Sequence, residues 1–234
     1  MRKSAYADDM VYVEAFRYIY RVRHRIMEGD CQYDHGPREV SSPPIYAGRY
    51  PVTNRQFFQF LQESGYHPED TTNFLRHWEQ GRCPEELLDC PVVWVSQKDA
   101  NAFASYYGMR LPYDWEWQYL AGGPKKLAYP WGNKFDKTRC ATETLSPVDA
   151  FPEGESPCGC LDLCGNTWEW VADVIDDGDH VFTFLRGGSW YKAPHFWHAE
   201  GGPHRNDYHL KMPLLNEGIN RNETVGFRCV RDLV

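Results

Sequence analysis

No apolar run in the 234-residue sequence approaches the length of a membrane span, and the basic pair after Met1 leads into no hydrophobic core of an export signal. These absences predict a chain that engages no membrane and stays in the cytoplasm. Positive charge is also short: 25 Lys and Arg stand against 33 Asp and Glu, a formal net charge of -8. Nucleic acid is therefore not an expected partner, because phosphate backbones require a basic face. Low-complexity tracts, blocks of like charge and internal repeats are missing too, which excludes long disordered tails and repeat arrays.

What is present is aromatic and turn-rich. Aromatics make up 15% of the residues, with 9 Trp, 19 Gly and 16 Pro, so the chain is expected to pack rings and turn often, with few long helices. The length suits a single domain, residues 1–234, with a substantial core. Eight cysteines in a chain of this size without an export signal are read as free thiols.

The organising stretch is Leu163-Cys164-Gly165-Asn166-Thr167-Trp168-Glu169-Trp170. If extended, it points Trp168 and Trp170 one way and Glu169 the other. Gly165-Asn166 makes a turn, and Asp162 stands upstream of it. A turn offering carbonyl oxygens between two acids has the hard-oxygen chemistry of calcium. The residues alone leave another reading open, in which two core tryptophans flank a solvated glutamate.

Around this stretch the patterns are local. Met10 to Arg21 alternates as a strand, and Cys31 to Pro44, with its Gly and prolines, reads as a loop. Ile45 to Val52 reads as a strand. Thr53 with Gln56 and Ser96 with Asp99 are capping boxes opening helices that end near Gly65 and Gly108. A third helix is expected from Pro112 to Gly122-Gly123. Pro91 to Val95 reads as a short buried strand after a surface insertion over residues 66–91, and Phe182 to Trp190 as a strand ending at a glycine pair that lets backbones approach closely. Residues 191–221 read as a polar loop, and Thr224 to Val230 as the last strand.

Several of these motifs occur in an order that resembles the sulfatase-modifying-factor family: Tyr50-Pro51-Val52-Thr53-Asn54, Pro91-Val92-Val93-Trp94-Val95-Ser96, Arg110-Leu111-Pro112, Tyr129-Pro130-Trp131-Gly132-Asn133, Gly165-Asn166-Thr167-Trp168-Glu169-Trp170, Arg186-Gly187-Gly188-Ser189-Trp190 and Gly226-Phe227-Arg228-Cys229. That family includes formylglycine-generating enzymes, ergothioneine sulfoxide synthases and pyoverdine-maturation oxidases. The resemblance implies an α+β fold, a C-type lectin-like variant with short antiparallel sheets, few helices and much loop. It also implies calcium at the central motif, held by the side chains of Asp162 and Glu169 and the carbonyls of Gly165 and Thr167. Arg186 and Arg228 are expected to brace the core around the glycine pair.

Function transfers less directly, since fold and chemistry are separable. In formylglycine-generating enzymes two cysteines after the Gly-Gly-Ser turn bind copper as thiolates. The matching positions here are Lys192 and Trp197, which excludes that chemistry at that place. Ser189 and Trp168 remain of the cleft. The segment carries instead His195, His198, His204 and His209 with Glu200 and Asp207 nearby, a ligand set suited to iron or another transition metal. The resemblance places the iron-binding histidines of the ergothioneine branch in a separate helical domain, so a site within this loop would be new; the plain alternative is a polar surface loop.

The expectation is a metal-dependent oxidoreductase acting with oxygen on a small molecule or peptide side chain. Ser189 and Trp168 would shape the cleft, and Arg205 or Arg221 would hold a carboxylate substrate. The rival expectation is a non-catalytic lectin-like protein, such as a variable protein of a diversity-generating retroelement, recognising a ligand through residues 191–222. A third is a domain kept for protein contact. Cys158, Cys160 and Cys164, with Cys140 upstream, lack the usual spacing of structural zinc and are read as packed thiols. The family's disulfide partner position for Cys229 reads Ala104 here.

Overall fold

The computed structural model describes residues 5–25, 32–191 and 201–233. In chain order these form α1 (Ala5–Asp8), β1 (Met10–Val13), β2 (Phe16–Arg25), β3 (Gln32–Ser42), β4 (Ile45–Gly48), α2 (Asn54–Ser64), α3 (Gln97–Tyr106) and α4 (Asp114–Gly122). Then follow β5 (Trp168–Trp170), β6 (Ile175–Asp176), β7 (Val181–Arg186), β8 (His209–Pro213), α5 (Glu217–Asn220), β9 (Val225–Phe227) and β10 (Val230–Asp232). The strands make a small sheet ordered β1-β4-β10, a ribbon of β2 and β3, and a sheet ordered β6-β7-β5-β9 with β8 on β7. All described pairs are antiparallel except β5 with β9. Among the described residues no helix is long and apolar enough to cross a membrane.

Local chemistry sets the helices. Thr53 and Ser96 each accept the third backbone N–H of their helix, while Gln56 and Asp99 reach back to the cap, as the capping boxes require. Gly65 closes α2 in the left-handed region at φ 67°. The third helix begins at Asp114, after the expected Pro112, because Asp173 Oδ2 accepts the Asp114 N–H at 2.6 Å and Glu116 accepts that of Tyr113 at 2.8 Å.

Other expectations are corrected. The strand read over Met10 to Arg21 divides at Glu14-Ala15, β1 pairing with β4 and β2 with β3. The segment read as a loop after Cys31 is the strand β3. Its Gly36-Pro37 falls at the register shift between Tyr20 and Val22, and a bulge is where a sheet tolerates both residues. Residues 91–95 form no strand beyond the single bridge of Thr53 with Pro91, and Trp94 sits at φ 58°. The polar loop after residue 191 contains β8 and α5.

Two buried clusters flank β5. One joins Phe57, Phe60, Phe103, Trp168, Trp170 and Phe227; the other joins Phe16, Tyr18, Trp117, Leu163 and Val171. Ala104 and Cys229 share the first cluster, and Cys229 is a free thiol.

Between the clusters run buried ion pairs. Arg228 donates to both Glu169 oxygens at 2.7 Å, and Trp117 Nε1 donates to the same carboxylate at 2.8 Å. Its guanidinium also donates to the carbonyls of Gly48 and Leu161, so one side chain links four segments. Arg186 pairs with Asp114, which accepts from the Tyr20 hydroxyl as well and bonds His209 Nδ1 at 3.0 Å. Burial works against the Asp114 charge, but Arg186 and His209 hold its carboxyl well below the usual carboxylate range. The half-buried Asp173 is pushed up to about 6 by burial and then by the charge of Asp114. Arg221 and Asp99 form a third pair with no exposure on either side chain.

Two expectations follow from these pairs. Arg228→Met leaves Glu169 buried and uncompensated and is expected to cost about 3–5 kcal/mol in urea denaturation; a cost under about 1 kcal/mol would show that the pair does not hold the sheets together. Asp173 binds its proton more tightly folded than unfolded. Its contribution is therefore full below about pH 4, the unfolded carboxyl range, and is lost as pH rises through about 6. Asp173→Asn should retain the bond to the helix terminus and flatten the stability curve across that window; an unchanged slope would mean another group titrates there.

Candidate functional site

The central motif is a tight turn feeding a strand. Asp162, Gly165 and Asn166 all have left-handed φ, at 56°, 79° and 56°. Gly165 is required, since a Cβ would lie 2.5 Å from the Ala141 carbonyl oxygen. The Asn166 side chain spans the turn, donating to Ser146 O and Asp162 Oδ2 at 3.0 Å each and accepting from Ser146 N at 3.1 Å. Beyond it β5 is extended, so Glu169 faces Arg228 and Trp117 while Trp168 and Trp170 face the other way.

Trp168, buried in the first core cluster, packs at the end of an aromatic stack. Its ring centroid lies 5.1 Å from that of His204 and 6.4 Å from that of Tyr208, and His204 stacks on Tyr208 at 4.3 Å with 15° between planes. The glycine pair ties Ser189 to the segment that carries His204: Ser189 N donates to Gly202 O and His204 N to Gly187 O, each at 3.1 Å. Gly188, at φ 79°, pairs with Pro203, and a Cβ there would meet the Gly202 oxygen at 2.2 Å. Ser189 is buried and donates its hydroxyl to the Tyr191 carbonyl at 3.3 Å, which fixes the side chain. Nε1 of the next residue, Trp190, is buried without a hydrogen-bond partner among the described residues. Sequence reasoning missed Tyr208 and the indole of Trp190, because lone aromatics in an aperiodic segment carry no signal of which face they share.

The histidine set does not assemble among the described residues. His195, His198 and Glu200 lie outside them. His209, expected beside His204, instead stacks on Phe184 at 3.9 Å and bonds Asp114, within the Arg186 network. It serves packing rather than the cleft. No group of three His, Cys, Asp or Glu able to hold a metal occurs among the described residues.

The calcium set fits in its chemistry. Asp162 is a buried acid whose bond to Asn166 is with a neutral amide, and burial pushes its carboxyl up to about 7. A hard cation is the partner such an acid lacks. Glu169 differs, because its Oε2 takes bonds from Trp117 and Arg228 and its Oε1 a single Arg228 bond. A lone pair on Oε1 is what remains for a cation.

Arg205 is not at the aromatic wall. It pairs with Asp207 at 2.8 and 3.1 Å and lines a separate cavity with Tyr18, Gln118, Lys126 and Asn206. The role expected for it, holding a substrate carboxylate beside Ser189, has no support in this placement. The seven cysteines among the described residues are free thiols: Cys164 donates to His204 O at 3.4 Å and hydrogen-bonds with Cys140, while Cys158 donates to Tyr119 O at 3.6 Å.

Comparison with known proteins places this geometry. Residues 2–233 match the family described as Sulfatase-modifying factor enzyme 1-like domain. The chain is 32% identical over 247 residues to the inactive C-alpha-formylglycine-generating enzyme 2 of Bos taurus, across 83% of this chain and 79% of that protein. It is 28% identical over 205 residues to the hercynine oxygenase of Mycobacterium tuberculosis, 66% of this chain and 47% of that one. Treponema denticola variable protein 1 superposes with a TM-score of 0.62 over 95% of this chain and 94% of that one at 19% identity, which shows a common fold. With the family matched from end to end and its lectin-like architecture of short sheets, few helices and loops in place, the chain belongs to the sulfatase-modifying factor enzyme 1-like family.

Proposed function

We propose that this chain is a recognition module whose cleft takes a planar group of a small molecule or peptide against Trp168, His204 and Tyr208. The observation that carries this reading is the aromatic stack of Trp168, His204 and Tyr208, on a segment tied by backbone hydrogen bonds to Gly187 and Ser189. A planar ligand gains ring contact from Tyr208, the partly exposed ring of the stack. The replacement of the thiolate pair by Lys192 and Trp197 supports recognition over copper oxidation, and so does the likeness to a relative named inactive.

A second reading is favoured by one observation. His204 stands in the cleft, and His195, His198 and Glu200 precede it in sequence, so an iron or other transition-metal site for oxygen chemistry would be built there. The relative named hercynine oxygenase supports that reading in kind. Calcium would be held by Asp162, Glu169 and the carbonyls of Gly165 and Thr167, and its chemistry would be structural, neutralising Asp162 beneath the cleft.

Screening a library of peptides and small aromatics by thermal shift should yield ligands whose affinity falls about 3–10-fold in Tyr208→Ala. Hits indifferent to that change would move recognition elsewhere. Metal analysis of the purified chain separates the second reading: iron near one equivalent, lost in His195→Ala/His198→Ala, would replace recognition with oxidation as the conclusion. Calcium at about a hundred times its Kd should add about 2.7 kcal/mol of stability, raising Tm by roughly 5–11 °C. That gain should vanish in Asp162→Asn, and an identical gain in the variant would exclude this ligand set.

A further inference from the structure

Another cavity, of about 240 Å³, is bounded by β2, β3, β7, β8 and the first residue of α4. Its lining brings an acid and a base to one space, Asp173 and Arg38. Asp173 is half-buried; its Oδ2 accepts the Asp114 N–H at 2.6 Å, and its Oδ1 accepts from no neighbouring residue among those described. Arg38 is exposed, with its guanidinium carbon 5.3 Å above the centre of the Tyr20 ring. Among the described residues neither side chain has an opposite charge within 4.0 Å, so the two do not neutralise each other.

The remaining charge at the cavity is settled internally. Asp114 accepts from Nε and Nη2 of Arg186 and from the Tyr20 hydroxyl, and it bonds His209 Nδ1 at 3.0 Å. Lys211 of β8 has its Nζ 3.3 Å from the centre of the Phe182 ring and does not line the cavity. What is left is one acid and one base, each without an ion pair. Burial and the charge of Asp114 push the Asp173 carboxyl up to about 6, and a cation against Oδ1 is the partner that would hold it ionised. Apolar surface lies beside them, since Phe184 and Ile175 also line the cavity and Ile175 is 40% exposed.

We propose that this cavity binds a small amino acid with an apolar side chain, its ammonium donating to Asp173 Oδ1, its carboxylate accepting from Arg38 and its side chain against Ile175 and Phe184. A simple anion would meet Arg38 but also face the Asp173 carboxylate, and a simple amine would meet Asp173 but face the guanidinium. A molecule with both charges gains at each end, and the planar guanidinium suits a carboxylate. The site is separate from the stack of Trp168, His204 and Tyr208, none of which lines it.

The test is calorimetric titration of the full chain with free L-amino acids of apolar side chain, each to about 10 mM, which saturates a site of millimolar Kd or better. At least one is expected to bind. Its N-acetyl derivative, which has lost the ammonium, and its primary amide, which has lost the carboxylate, should each bind at least about tenfold more weakly. Asp173→Asn, which keeps an acceptor for the Asp114 N–H, and Arg38→Gln, at an exposed position that does not threaten folding, should each weaken the parent ligand by a similar factor. Three results would overturn the proposal: no amino acid binding; either derivative binding as tightly as its parent; or affinity unchanged in Arg38→Gln. None of them bears on recognition at Tyr208.

Discussion

The contact on which most of this structure depends is the one between Glu169 and Arg228. Both side chains are fully buried, and a charge in that position is tolerated only when its opposite is held against it. Arg228 follows β9, Glu169 lies in β5, Trp117 comes from α4, and the carbonyls of Gly48 and Leu161 complete the guanidinium's partners. A single ionic contact therefore locates the small sheet, the large sheet and the helix between them. Because side chains alternate along a strand, fixing Glu169 inward also fixes Trp168 on the cleft side. The placing of the Trp168 ring against His204 is a geometric consequence of the salt bridge.

The Asp114 network does the same for the glycine pair. Arg186 is the last residue of β7, and its bonds to Asp114, Asn206 O and Tyr208 O set where the chain enters Gly187-Gly188 and how β8 lies beside it. His209 belongs to this framework, with its ring flat on Phe184. Imidazoles that look equivalent in a polar stretch thus divide by environment: His204 reaches the cleft wall, and His209 braces the strand behind it.

Much of this was legible in the sequence, for identifiable reasons. Capping boxes at Thr53 and Ser96 are local signals and appear where they were read. The alternation around Glu169, the close approach at Gly188 and the bracing roles of Arg186 and Arg228 were legible because a turn, a buried charge or a missing Cβ has few solutions. What was not legible depends on partners distant in the chain. Gly36-Pro37 reads as a loop until β2 supplies the opposite side of a bulge. Likewise β8, inside a polar run, is a strand because β7 offers it an edge from Phe182 to Arg186. Arg205 looked like a substrate clamp for want of any local sign that Asp207 would take its guanidinium.

The same framework explains how the family's fold can persist here while its metal-binding thiols do not. Ser189 N donates to Gly202 O at 3.1 Å, Gly202 N donates to Tyr191 O at 2.8 Å, and Gly188 bridges Pro203. These contacts close the segment between residues 191 and 202 at its base. The ends of that segment are set by backbone hydrogen bonds, which require nothing of the side chains between them. The described partners of Glu169–Arg228 and Asp114–Arg186 all come from outside that segment. Trp168 and Ser189 are held by the framework itself and stay where the sheets put them, so the fold does not depend on the thiols that the resemblance places at positions 192 and 197.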